Sequence, residues 1–261
     1  MTSPARRNRE RKLAALQGAA NPQFDQQRAN AYELQLMQLA EHRRTLKGIQ
    51  SIERKIDAKR TMLGVYKPWI DGLLAADRGE QDDVLVTVML WTLDTGDLEG
   101  AFNMADYVIR HGLSTPDRYE RTAATLIAEE VADTGIKLQE AGAGPSYGLL
   151  CAYLELLTHS DIFDQVHAKL HKAVGRAALA EGFKEQAAQH YRRALELHDK
   201  VGIKKDLEVL ERDIKKEKEA AQAAKAAEEQ AEAEQAARDA EQMAAESGTT
   251  EQQPDATGGG S

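Results

Sequence analysis

From Val84 to Trp91 the chain reads VLVTVMLW, eight residues without a charge and with a single hydroxyl. Asp82 and Asp83 precede the run; Asp94, Asp97 and Glu99 follow it. Three valines and a threonine favour a strand, and a stretch that is apolar throughout has no period to read. As a strand it would gather carboxylates at its ends, the arrangement a metal-dependent nuclease needs. A strand also needs partners, and no other segment of the chain has a strand pattern. An orphan strand would leave its backbone N–H and C=O groups unpaired. The run is therefore expected to form a buried helix over 83–93. Asp82 caps its N-terminus, Gly96 ends it and Asp97 caps the next helix. Asp94 and Glu99 then fall at the turn and in the following first turn, where negative charge is favoured. On this reading the two acidic groups sit roughly 15 Å apart, at opposite ends of one helix. Asp82, Asp83, Asp94, Asp97 and Glu99 remain the candidate catalytic residues of a nuclease reading, whose cofactor would be Mg²⁺.

The rest of the chain points to an all-α fold. Aromatic residues are only 5% of the chain and charged residues 30%, so its apolar content is mainly Ala, Leu, Val and Ile, with good helix formers around them. Segments 97–111, 119–140, 146–158, 162–181 and 184–198 all have helical patterns. "STP" at 114–116 is a helix start signal, with Thr115 as cap and Pro116 in the first turn. Gly175, Gly182, Ala187, Tyr191 and Ala194 fall at the small and aromatic positions of a tetratricopeptide helix pair. Residues 64–202 are expected to form a helical-hairpin body of that kind. Residues 203–245 form a long polar helix with almost no large apolar residue beyond 217, and 246–261 are expected to be disordered.

The N-terminal quarter differs in charge. Residues 1–60 carry net +7, residues 61–140 net −9, residues 141–215 balance, and residues 216–261 carry net −7. Arg6, Arg7, Arg9, Arg11 and Lys12 crowd a stretch, 1–27, that is expected to be a flexible basic arm. From 28 to 63 one helix is expected, with Leu39, Leu46, Ile49, Ile52, Ile56 and Leu63 at spacings near 3.5. Arg43, Arg44, Lys47, Arg54, Lys55, Lys59 and Arg60 project from the same segment. A narrow, coiled-coil-like apolar seam with basic flanks suits self-association beside DNA, or else packing on the chain's own domain. Pro68 in "YKPWIDGLL" is expected to break this helix and start another, with Trp69 buried. A basic head on an acidic body suggests nucleic acid at one end and protein at the other.

Other chemistries are not supported. His167 and His171 share a helix face, but Ala168 stands where a zinc protease needs its glutamate. Glu129 and Glu130 are adjacent, so they face apart on a helix. No phosphate-binding Gly-Lys-Ser/Thr loop, Cys/His cluster or nucleophile elbow is present, so the chain should not hydrolyse ATP. The single Cys151 excludes an internal disulfide and fits a reducing cytoplasm. No apolar run reaches the length of a membrane span, and the N-terminus lacks a secretory pattern.

Six stretches together carry a resemblance. "MTSPARR", "RTLKGIQSIERK", "YKPWIDGLL", "QDDVLVTVMLWTLDTGDLEGA", "VHAKLHKAVG" and "VGIKKDLEVLERDIK" resemble the small terminase subunit of peduovirus-type tailed phages, the gpM-type protein, in order from residue 1 to about 215. The resemblance implies a subunit that recognises the packaging (cohesive-end) site on viral DNA. It also implies oligomerisation and hand-over of DNA to an ATPase large subunit that fills a procapsid through its portal, in the cytoplasm of the infected host. The family is customarily described as an endonuclease subunit, and no catalytic residue can be carried over to this chain. The tail after 216 departs from the family in being acidic. Three readings stay open: a DNA-recognising subunit whose basic head contacts phosphates while its acidic body and tail dock the large subunit; a metal-dependent nuclease using the 82–99 carboxylates; and a pure helical-repeat adaptor.

Overall fold

The computed structural model describes residues 22–116 and 121–247. Arg6, Arg7, Arg9, Arg11 and Lys12, the expected arm 1–27 up to residue 21, and the tail from 248 lie outside the described residues. The described residues form nine helices and none lies in a strand. They are α1 (Pro22–Gly48), α2 (Ile52–Ala76), α3 (Asp83–Asp94), α4 (Leu98–Arg110), α5 (Ala123–Glu140), α6 (Tyr147–Leu156), α7 (Asp164–Ala180), α8 (Lys184–Leu197) and α9 (Lys204–Ser247). The fold is all-α. The chain divides into two compact units, one ending at Lys204 and the other beginning at Lys205.

The apolar run is α3, and it is the hub of the first unit. Every residue from Val84 to Leu93 is buried, because α1, α2, α4 and α5 all pack against it. A helix covered on all sides must be apolar on all sides, which is why the run has no helical period. Its two threonines satisfy their hydroxyls locally: Thr87 Oγ1 donates to the Asp83 carbonyl (2.7 Å) and Thr92 Oγ1 to the Val88 carbonyl (2.8 Å). Asp82 caps the helix by accepting from the Leu85 N–H at 2.7 Å. Gly96 follows its end at φ +90°, a left-handed conformation that favours glycine. Asp97 then caps α4 by accepting from the Gly100 N–H at 2.8 Å.

Four expectations from the sequence are corrected. The single helix expected over 28–63 is two helices, parted by Ile49, Gln50 and Ser51, with Ser51 capping α2. Gly48 supplies a weak point, and packing on α3 stabilises the reversal. Pro68 breaks nothing, because α2 runs through it to Ala76. The ring lies on the exposed face, opposite the side from which Tyr66, Ile70 and Leu73 are buried. The carbonyl that Pro68 leaves without an amide partner therefore opens toward water, and the buried face holds the helix together. Trp69 is only half-buried. The helix expected from the Thr115-Pro116 signal starts instead at Ala123, capped by Thr122. Thr115 Oγ1 donates to the Arg121 carbonyl at 3.0 Å.

Around the hub, buried and half-buried tyrosines fasten elements through their hydroxyls. Tyr153 Oη on α6 donates to the Leu98 carbonyl at 2.6 Å, Tyr107 accepts from the Gly79 N–H at 2.8 Å, and Tyr32 accepts from the Asp83 N–H at 3.1 Å. The α7–α8 hairpin closes tightly at one point. A methyl added at Gly175 would sit 2.5 Å from the Tyr191 ring, so only glycine lets these helices approach there. In the second unit, residues 215–240 of α9 are exposed throughout. Alanine-rich propensity holds them helical with i,i+4 pairs such as Lys215–Glu219 (3.8 Å) and Gln235 Nε2 to Asp239 (2.9 Å).

Candidate functional site

Helices α1 and α2 fold back on one another, with Tyr32 stacked on Trp69 (centroids 5.9 Å apart) and Tyr66 Oη 2.8 Å from His42 Nδ1. The three-residue turn between them is thereby brought to one end of a helical hairpin. The seven cations expected to face DNA divide there into two sets. Arg43 Nη2 donates to Thr87 Oγ1 at 2.8 Å, reaching into the α3 hub. Lys59 forms an ion pair with Asp94, and Arg60 Nη2 donates to the Thr95 carbonyl at 3.0 Å. These two seat α2 on the C-terminal end of α3, where exposed carbonyls favour cations. Arg44, Lys47, Arg54 and Lys55 lie closer to the turn. Arg44 pairs with exposed Glu41 at 2.7 Å, a contact of little energetic weight in water. Lys47, Arg54 and Lys55 make no ion pair among the described residues.

The apolar seam also divides. Leu39 and Leu46 are buried in the chain's own core, and Ile49 and Leu63 pack against it. Ile56 is half-buried, and Ile52 alone stands out, 74% exposed. The residues expected to join subunits are therefore used mainly in folding this one. Leu34 and Met37 of α1, which the 3.5 spacing passes over, are exposed instead.

The candidate catalytic carboxylates do not converge. Asp82 is buried; besides capping α3 it accepts from Trp69 Nε1 at 3.1 Å. Burial raises its pKa, against the lowering effect of the Leu85 and Trp69 donors. Asp83 accepts from Gln81 Nε2 at 3.0 Å. Asp97 is the cap of α4, and Glu99 is exposed in its first turn. Asp94 alone meets acidic company, on the face that α5 presents to the α3 end. Glu130 there is raised to about 7 by burial first, then by Asp94, Asp133 and Glu129, with Lys59 opposing. Its adjacency to Glu129 gives no sign of this. Glu129 does pair outward, with Arg121, and Asp133 pairs with Lys169. Among the described residues no three His, Cys, Asp or Glu side chains gather as a metal site.

The second titratable cluster joins His167 and His171 of α7 to His190 of α8. His171 Nδ1 and His190 Nδ1 are 3.1 Å apart, and His167 lies over His171 with centroids 4.9 Å apart. His171 is pushed down to about 3, by burial first and then by His167, His190 and Arg193. His167 and His190 are lowered by burial as well. This is a neutral, packed trio, of which sequence spacing reveals only the first pair.

Caps and pairs thus account for Asp82, Asp94 and Asp97. The α1–α2 turn, by contrast, is exposed and basic. Residues 36–165, which contain this turn and the whole hub, match the family described as phage small terminase subunit. The chain is also 41% identical over 215 residues to the "Terminase, endonuclease subunit" of Escherichia phage P2, covering 82% of this chain and 87% of that one. The chain belongs to the phage small terminase subunit family. It is thereby a phage protein of DNA packaging. No solved structure matches it. Among the described residues of this small terminase subunit, no helix is long and apolar enough to cross a membrane.

Proposed function

We propose that this small terminase subunit binds double-stranded viral DNA at the packaging (cohesive-end) site and oligomerises there. It then hands the DNA to the ATPase large subunit for filling of the procapsid, in the cytoplasm of the infected bacterium. The observation that carries the DNA contact is the set of Lys47, Arg54 and Lys55, exposed or half-exposed around the turn between α1 and α2 and without an ion pair among the described residues. The N-terminal cations Arg6, Arg7, Arg9, Arg11 and Lys12 are proposed to extend that contact. The acidic body and α9 would be repelled by phosphate and are proposed to face the large subunit. Leu34 and Met37 supply exposed apolar area for self-association.

Using five or more cations implies a log–log salt slope of about −4 or steeper. Titration of labelled packaging-site duplex from low to moderate salt measures it. Binding that barely changes across that range removes the reading.

A second reading, in which this subunit cuts the site itself, draws on the name of the phage P2 relative. A nuclease of this kind needs Mg²⁺ held by convergent carboxylates. The described residues offer Asp94 near Glu130 and Asp133 but no three-ligand set, so Mg²⁺ finds no fitting site among them. Mg²⁺-dependent cleavage of cohesive-end DNA, with and without the large subunit, separates the two readings. Cutting by this subunit alone, abolished by Asp94→Asn in a folded protein, would establish the second.

A further inference from the structure

Ile52 is the first residue of α2 and is 74% exposed. It stands on a turn that is fixed rather than loose. Ser51 caps α2 by accepting from the Arg54 N–H at 3.3 Å, and Ile49 packs back on the core. An exposed aliphatic side chain gains free energy from a partner that covers it. The surrounding charge says which partner. Between Arg44 and Lys55 there are four cations and one carboxylate, Glu53. Three of the four cations have no ion pair among the described residues, and they flank Ile52 along the chain on both sides: Lys47 before it, Arg54 and Lys55 after it.

We propose that Ile52 is a wedge that enters the minor groove of double-stranded DNA between base pairs, while Lys47, Arg54 and Lys55 hold the phosphates on either side. The proposal rests on the DNA-binding reading above and adds how the tip engages the duplex. Geometry favours a single inserted side chain. The end of a two-helix hairpin is about 20 Å across, whereas the minor groove is about 6 Å wide. The hairpin cannot enter, but one aliphatic side chain at its tip can, with its cations left at the groove walls. Apolar wedges of this kind partly unstack a base step and kink the duplex by about 20–90° toward the major groove. Flexible pyrimidine–purine steps kink most cheaply. Part of the sequence preference of this subunit would then come from deformability rather than from base-edge hydrogen bonds.

The test uses the full chain and a short duplex of cohesive-end DNA, end-labelled for energy transfer so that bending and affinity are read together. The expected results are a bent complex with the wild type and, for Ile52→Ala, loss of the bend with about tenfold weaker binding and an unchanged salt slope. Ile52→Leu keeps the bend. Lys47→Ala, Arg54→Ala and Lys55→Ala combined make the slope shallower by about 2.7. Because these side chains are surface groups, the thermal melts of all three variants should match the wild type, which keeps a folding defect from mimicking the result. An unbent wild-type complex overturns the wedge, as does an Ile52→Ala variant that bends and binds like the wild type. In either case a shallower slope in the triple variant leaves the basic tip standing. If the triple variant binds with wild-type slope, the tip does not touch DNA and the wedge falls, whereas DNA binding by the subunit as a whole falls only if the wild-type slope itself is flat. If Ile52→Ala instead loses self-association or capture of the large subunit while bending DNA normally, Ile52 belongs to a protein interface and the wedge is wrong.

Discussion

The α1–α2 turn and the α3 hub both stand out by charge, yet they use charge in opposite ways. Around α3 nearly every polar group is closed by a neighbour: Asp82 by Leu85 and Trp69, Asp94 by Lys59, Asp97 by Gly100. At the turn, Lys47, Arg54 and Lys55 make no ion pair among the described residues, and an aliphatic side chain is left in water beside them. A closed polar group stabilises a fold, whereas open ones are available to something outside it. The acidic cluster, although more conspicuous in the sequence, is for that reason the poorer candidate for function. The same contrast separates two kinds of mutational outcome, so each of the following changes should move stability or DNA affinity but not both.

The largest loss of stability should come from Gly175→Val, because a side chain there meets the Tyr191 ring. Overpacking of this kind costs about 2–3 kcal/mol, read as a lower denaturation midpoint, while the folded fraction keeps its salt slope on DNA. Asp82→Ala follows closely. It removes the α3 cap and strands the Trp69 N–H, at a cost of about 2 kcal/mol. A strong loss of DNA binding by folded protein carrying either change would break the division between the packed body and the turn.

Glu130→Gln should act in the other direction and only at higher pH. A carboxyl whose folded pKa is raised to about 7 binds protons more tightly in the folded state. Its contribution is therefore favourable at acid pH and is lost as pH rises from the unfolded value of about 4.3 through about 7. The glutamine variant should be about 1–2 kcal/mol more stable than the wild type at pH 8, after allowance for partial exposure, and equal to it near pH 4. Denaturant melts at the two pH values check this. The histidine trio has the opposite sign. With His171 at about 3, the neutral form is favoured, so stability is full above about 6.5 and falls as pH drops below it. His171→Phe should flatten that acid limb. The smallest effect expected on stability is that of Lys47→Ala, within about 0.5 kcal/mol, although it should lower the salt slope by about 0.9.

Much of the fold is legible in the sequence because its signals are local. The Asp82 cap, the Gly96 stop and the Asp97 cap are short-range devices, and each sits where spacing puts it. The failures share a cause in tertiary packing, which no local signal carries. The seam of Leu39, Leu46 and Ile49 has a true helical period, but a period cannot say whether a stripe faces another subunit or the core of the same one. Pro68 is tolerated because burial of Tyr66 and Ile70 on the opposite face outweighs one missing hydrogen bond. Glu130 and His190 become notable only when helices distant in sequence bring Asp94 and His171 beside them. The division of the seven cations is likewise hidden. Lys55 and Lys59 are the same residue type one helical turn apart, and only the docking of α2 on α3 gives Lys59 a carboxylate.

The seating of Lys59 and Arg60 on the end of α3 has a thermodynamic consequence for whatever the turn binds. Only about two helical turns, roughly 10 Å, separate that anchorage from Ile52. The tip is thus ordered before any partner arrives, and little backbone entropy is left to lose on binding. A loop carrying the same cations would surrender about 1–2 kcal/mol for each residue it had to fix. This subunit settles that cost when it folds, so more of the attraction between its cations and a ligand can appear as affinity.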